Sequence, residues 1–407
     1  MTTQCAACGA ATEVLLDFGK MPLANGFLAA DQFGVERFYE LRLACCPSCR
    51  LAQLVEPPAP ALMFNDAYPF FSSTSRRMAA HFEELAADVL RACEGSTDPF
   101  IVELGSNDGI LLQHYAMRGI RHLGVEPSAN VARAARARGV SSLCRFFDLQ
   151  AANEIVATHG QADAIVAANV MCHIADIHSA AAGVAALLRR DGLFVFEDPY
   201  WADIVAQTAY DQIYDEHAFY FSVASVERLF GRHGLELIDV APQAVHGGSM
   251  RYVLSHQGSR RVSARVRESL EREEASGLHR REAIEGFRAR VETSRRELLS
   301  LLRRLRREGE RVVGYGATSK STTIINYCGI TADLIECIVD TTPAKQGKFS
   351  PGAHIPIRGH GEFAASRPDA AVLFAWNHRA EILDKERAFL ARGGKWIVFV
   401  PSVCILQ

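Results

Sequence analysis

Hydrophobic and polar residues alternate along Arg37-Phe38-Tyr39-Glu40-Leu41-Arg42-Leu43, which is the period of a half-buried strand. Near residue 100 the pattern changes to short apolar runs separated by helical stretches. Phe100–Leu104 reads as a buried strand, Gly105–Gly109 as a tight turn, and Ile110 as the start of a helix. Arg121–Glu126, Ala164–Val170 and Leu193–Tyr200 repeat the strand signature, and Val223–Gly231 reads as a helix. From His256 to Glu310 the chain is dense in Arg and Glu with Leu or Val at helical intervals, which predicts solvated amphipathic helices. A second alternation of strands and helices follows, with strands over Arg311–Ala317, Ile335–Asp340, Ala371–Ala375 and Trp396–Val400.

These shifts divide the 407 residues into a small module (1–72), an α/β domain (73–255), a helical linker (256–310) and a second, smaller α/β domain (311–407). An apolar fraction of 49% with 22% charged residues belongs to a globular chain. A net charge of −3 gives no general attraction to nucleic acid or to an anionic membrane. No apolar run reaches the ~18 residues of a spanning helix, and Met1-Thr2-Thr3-Gln4-Cys5 lacks the basic flank and apolar stretch of a secretion signal. Eleven cysteines, several of them single in apolar segments (Cys144, Cys172, Cys337, Cys404), fit a reducing compartment. The expectation is a cytoplasmic protein with no nucleic-acid or membrane partner, either a monomer or a small homo-oligomer.

Two features carry candidate chemistry in the first half. Cys5-x-x-Cys8 and Cys46-Pro47-Ser48-Cys49 each place two thiols on one turn, and together they offer tetrahedral sulphur coordination for Zn²⁺. Four thiolates leave no open coordination position, so the metal is expected to be structural. Cys45 lies beside the second pair, but the spacing selects Cys46 and Cys49. The second feature is the glycine turn. A strand that empties through small residues lets backbone amides approach a ligand, with Asn107 where such loops often carry glycine. Glu126 ends the next strand roughly 20 residues after the loop, the spacing at which a carboxylate meets ribose hydroxyls. A nicotinamide cofactor would look the same at this point.

A third feature lies between Pro199 and the helix Val223–Gly231. Asp211-Gln212-Ile213-Tyr214-Asp215-Glu216-His217-Ala218-Phe219-Tyr220-Phe221-Ser222 falls where ligands bind at the carboxyl edge of open sheets. Glu216 and His217 pair a near-neutral base with a carboxylate able to orient it.

Read in order, the strands resemble the class I (Rossmann-like) methyltransferase fold, here set between the zinc module and a C-terminal Rossmann-like α/β domain. That resemblance implies S-adenosylmethionine, with Glu103 supporting the loop Gly105, Asn107, Asp108 and Gly109, Glu126 on the ribose, Phe146, Phe147 or Asp148 near the adenine, and Asn169 at the next strand end. The paired cysteines, Phe71–Ser75 with Met78 and His81, Glu103–Gly109, Asn169 with His173-Ile174, Tyr214–Ser222, His246–Ser249, Gly314–Lys320 and Lys345–Lys348 together resemble one family. It is the three-domain sugar C-methyltransferases, which act on nucleotide-linked 4-keto-6-deoxyhexoses, usually at C3. The resemblance implies a base, His217, that removes the proton next to the ketone, with Glu216 orienting it or managing charge in the site. Tyr214 and Tyr68 would hold the sugar or the enolate oxygen. Ser72, Ser75, His173, His246, Gly247 and Lys320 would line the substrate site, Lys320 against phosphate. The residues taken singly also allow a histidine packed behind a strand at His173.

Two positions depart from the family pattern: Asp215 replaces a histidine, and Ser319-Lys320-Ser321 replaces Ala-Lys-Gly. The alternatives are a sugar O- or N-methyltransferase, a zinc-stabilised NAD(P)-dependent oxidoreductase using the Gly314 turn, and a non-enzymatic zinc adaptor.

Overall fold

A computed structural model of the chain describes residues 2–66, 68–69, 71–74 and 76–406. Three sheets organise it. The first is antiparallel and runs Thr2–Gln4, Ala11–Pro22, Phe38–Cys45, Ala52–Leu54 and Phe219–Tyr220 in spatial order. Its last strand comes from far along the chain, with Phe219 opposite Gln53 and Tyr220 opposite Ala52. The segment expected at the rim of the second sheet is therefore also the edge strand of the first.

The second sheet has seven strands in the order Leu235–Gln243, Ser249–His256, Leu188–Pro199, Ala162–Ala168, Phe100–Leu104, Arg121–Val125, Ser142–Leu143. Five are parallel, and Ser249–His256 runs antiparallel between its two neighbours. Strand order reverses between Phe100–Leu104 and Ala162–Ala168, which opens a crevice at their carboxyl ends. The helix expected from Ile110 is delayed. Ile110, Leu111 and Leu112 are all buried, and three consecutive apolar residues do not fit one helical stripe. The chain stays in turns until a short helix at Gln113–Ala116.

The third sheet is parallel over Ile357–Gly359, Ile338–Asp340, Val312–Tyr315, Ala370–Leu373 and Lys395–Val398, with Cys404–Leu406 antiparallel at the edge. Its order reverses beside Val312–Tyr315, so it has a crevice of its own.

The charged stretch before it forms helices Ala264–Ala275 and Arg281–Arg307. The second is more than a solvated connector. Its stripe of Phe287, Val291, Leu298, Leu302 and Leu305 is fully buried and joins one apolar cluster with Leu15 and Phe18 of the first sheet, Trp201 and Tyr210 of the middle domain, and Ile324 and Val312 of the third. Leucine at this periodicity satisfies three neighbours at once, while Arg and Glu keep the outer face in water. Among the described residues, no helix is long and apolar enough to cross a membrane.

Leu298→Ala is expected to remove about 2–5 kcal/mol of stability by leaving a cavity in that shared core. Urea denaturation followed by tryptophan fluorescence checks it; an unchanged midpoint would mean the helix is not part of the core.

Candidate active site

The four predicted cysteines converge. Cys5 and Cys49 sulphurs lie 3.3 Å apart, Cys8 and Cys46 3.4 Å, and all four fall within 4.8 Å of one another. Zn–S bonds of about 2.3 Å in a tetrahedron need sulphurs roughly 3.8 Å apart, so the donor set fits zinc. Each knuckle closes in the same way: Gly9 N–H donates to Cys5 O (2.8 Å), Arg50 N–H to Cys46 O (3.0 Å), and both residues have positive φ. The strand thiol of Cys45 is not in the cluster. Arg228 donates to Ser48 O and Arg232 to Ala7 O (2.7 Å), so the end of the helix Val223–Gly231 holds both knuckles onto the middle domain.

The carboxyl-edge crevice of the middle sheet faces that of the third across one cavity of about 710 Å³. On the middle-domain side Gly105, Asn107, Glu126, Phe146, Phe147, Asp148 and Asn169 line it. Gly105 has φ +61°, and a Cβ there would meet Val170 Cγ2 at 2.4 Å, so only glycine closes this turn. Asn107 takes φ +47° and donates its N–H to Glu126 Oε2 (3.0 Å), while Ser128 N–H reaches Oε1 (2.8 Å). Glu126 is thereby fixed with a lone pair left on each oxygen. Glu103 is buried behind the loop, its carboxyl raised well above the ordinary range by desolvation, and its Oε2 has no partner. This glycine cradle, positioned carboxylate and orphaned acid fit S-adenosylmethionine. Asp108 and Gly109 support the loop from behind. Asp108 accepts from Ser73 Oγ (2.5 Å) and pairs with Arg138 (3.1 Å), and Gly109 packs on Val140 and Ala135.

The candidate catalytic segment forms the cavity floor. His217 is buried, with Nδ1 3.1 Å from Gln212 O and Nε2 2.8 Å from Tyr214 Oη. A carbonyl only accepts, so Nδ1 carries the proton, and Nε2 takes the Tyr214 O–H. Burial, then His173 and the cation of Lys320, hold His217 well below the usual histidine value, so it is neutral. The orienting group is thus the Gln212 carbonyl, and the expected Glu216–His217 pairing does not form. Glu216 turns instead to Asn25 Nδ2 (2.7 Å), and burial together with neighbouring Asp215 raises its carboxyl. His173 is stacked between Phe64 and His217 (centroids 5.4 and 5.1 Å); burial lowers it to about 4, and its Nε2 faces no partner. Tyr68 and Ser72 line the wall, and Ser72 N–H donates to Asn107 Oδ1 (3.0 Å). Ser75 lies outside the described residues.

The C-terminal domain supplies the other wall. Lys320 is half-buried, donates to His246 O (2.8 Å), and sits 5.5 Å from the Trp376 ring; desolvation lowers its ammonium although Asp211 is near. His246 lines the cavity, but Gly247 does not. A Cβ on Gly247 would meet Trp376 at 2.4 Å, so this glycine lets the two domains approach. Helix Ser319–Cys328 ties the site together: Thr322 donates to Ala24 O (2.8 Å) and Thr323 to Ile213 O (2.9 Å). Sequence reasoning missed Asn25, Phe64, Arg77, Asn377 and His378, which also line the cavity. They carry no local motif and meet only through the tertiary fold.

A doubly wound sheet with this strand order, a glycine cradle and a carboxylate fixed at the next strand end has the architecture of an S-adenosylmethionine-dependent methyltransferase. The chain matches a zinc binding domain model over residues 5–64, a methyltransferase domain model over 76–240 and a C-methyltransferase C-terminal domain model over 244–401. C-methyltransferase NovU of Streptomyces niveus is 35% identical over 408 residues, covering 99% of this chain and 97% of that protein. The chain therefore belongs to the C-methyltransferase family. Solved structures align less well. Magnesium protoporphyrin IX methyltransferase (ChlM) of Synechocystis PCC 6803 with bound SAM gives a TM-score of 0.33 at 12% identity, covering 44% of this chain and 81% of that one. The CcbJ methyltransferase of Streptomyces caelestis gives 0.33 at 14%, covering 43% and 89%.

Cys46→Ser is expected to lose zinc by elemental analysis and to lower the thermal midpoint by roughly 5–10 °C, a few kcal/mol for a chain of this size. Methyl transfer should fall with it, because the zinc module pairs with the strand that follows His217. Full activity without zinc would refute a structural metal.

Proposed function

We propose that the enzyme methylates carbon, at C3, of a nucleotide-linked 4-keto-6-deoxyhexose, with His217 as the base. The observation that supports this reading best is a neutral, buried imidazole whose only basic nitrogen is covered by a mobile proton donor, Tyr214 O–H, at the floor of the cavity. A 4-ketone acidifies the hydrogen on the adjacent carbon. As the sugar enters, its ketone oxygen competes for the Tyr214 hydroxyl, and Nε2 is released to take the C3 proton. Tyr214 then donates to the enolate oxygen as negative charge develops there, in a site where water does not screen the interaction. Gly105, Asn107, Glu126 and Asn169 would hold S-adenosylmethionine, whose sulphonium would give its methyl group to C3 as the S–CH3 bond breaks and the neutral thioether leaves. Lys320 offers a half-buried cation for the diphosphate, and Tyr68 and Ser72 bound the sugar on the opposite wall. Neutral Glu216 keeps a second negative charge away from the enolate.

Incubation with S-adenosylmethionine and a panel of nucleotide-linked 4-keto-6-deoxyhexoses in deuterated water tests the proposal. A new C-linked methyl group by NMR, with deuterium entering unmethylated sugar, is the expected result. Methyl on oxygen or nitrogen would overturn it. His217→Asn should lower kcat by about 10²–10⁴-fold and abolish deuterium exchange. The pH profile follows from the lowered imidazole: kcat/KM should hold through neutrality and decline only well below pH 6.5, where His217 takes up a proton. An acid limb above that value would exclude His217 as the base.

A further inference from the structure

Gln212 holds His217 through its main-chain carbonyl. Its side chain is fully buried, and both Oε1 and Nε2 lack a hydrogen-bond partner. Among the described residues it is the one side chain with two such orphaned atoms. It lines the cavity shared with Tyr214, His217 and Lys320. The main chain is fixed, with its N–H donating to Ala209 O (3.1 Å) and its carbonyl accepting from His217, and the residue has no exposed surface.

An unpaired buried polar group costs about 1–3 kcal/mol. A leucine of similar volume would avoid that cost twice over, so a glutamine held here points to a ligand that completes its bonds. The amide also narrows the ligand's chemistry. It offers donor hydrogens on nitrogen and lone pairs on oxygen, without charge. A phosphate accepts only and would leave Oε1 orphaned; an ammonium donates only and would leave Nε2 orphaned. A sugar hydroxyl satisfies both.

We propose that the Gln212 amide reads a hydroxyl on the edge of the hexose facing His217, as donor and acceptor together, and selects hydroxylated over deoxygenated sugars at that carbon. This rests on the sugar reading above. A site built to bond a hydroxyl rejects the analogue lacking it strongly, because the amide is then left unpaired.

The test compares kcat/KM for pairs of nucleotide-linked 4-keto-6-deoxyhexoses that differ by one hydroxyl at C2 or C3, in wild type and Gln212→Leu, with thermal midpoints measured beside them. Wild type should favour the hydroxylated member of one pair by at least ~100-fold. Gln212→Leu should bring that ratio within about threefold of unity at an unchanged or higher midpoint, since an unsatisfied buried amide has been removed. Gln212→Met serves the same comparison if the leucine variant does not fold. A variant that keeps the wild-type ratio overturns the role of Gln212 and leaves the sugar reading standing. A wild type that methylates none of the sugars overturns the sugar reading, and this inference with it.

Discussion

The stretch from Tyr210 to Ser222 holds three carboxyls, a histidine and three tyrosine hydroxyls, yet every residue in it is buried. Such a segment cannot bury itself. The first sheet covers it through the Ala52–Leu54 pairing, the middle sheet lies beneath it, and helix Ser319–Cys328 presses on it through Thr323. Exclusion of water is therefore a property of the whole assembly, and the electrostatics of the site follow from it. Histidines lose their affinity for protons, carboxyls gain it, and a hydrogen bond to a developing oxyanion is strengthened.

Much of this was legible in the sequence, for identifiable reasons. The Cys-x-x-Cys pairs, the glycine turn and the acid at the end of the following strand are local patterns whose chemistry depends on spacing along the chain, and spacing is what a sequence records. The Glu216–His217 pairing was also a local inference, and it did not form. Adjacent residues on an irregular segment point to different sides, so His217 meets its own upstream carbonyl while Glu216 meets Asn25. The helix over 281–307 shows the same limit. Its charge pattern gave the solvated face correctly but could not reveal that the leucine stripe is shared by three parts of the chain.

The two departures from the family pattern have physical accounts that sequence could not supply. Asp215 accepts the Ala24 N–H (3.0 Å) and the Tyr39 hydroxyl, so it anchors the segment Tyr210–Ser222 to the first sheet instead of lining the cavity. Ser321 forms a reciprocal capping box with Thr318 at the start of its helix, which fixes the turn that carries Lys320. Both changes act on the placement of neighbours and leave the His217–Tyr214 contact alone.

The fifth strand of the first sheet also bears on how the protein is made. During synthesis Ala52–Leu54 must wait with an open hydrogen-bonding edge until the middle domain has been translated through Tyr220. Exposed edges invite pairing with other chains. The nascent protein thus passes through a period in which the zinc module is complete in metal ligands and incomplete in strands, and a chain halted in the middle domain keeps that edge open.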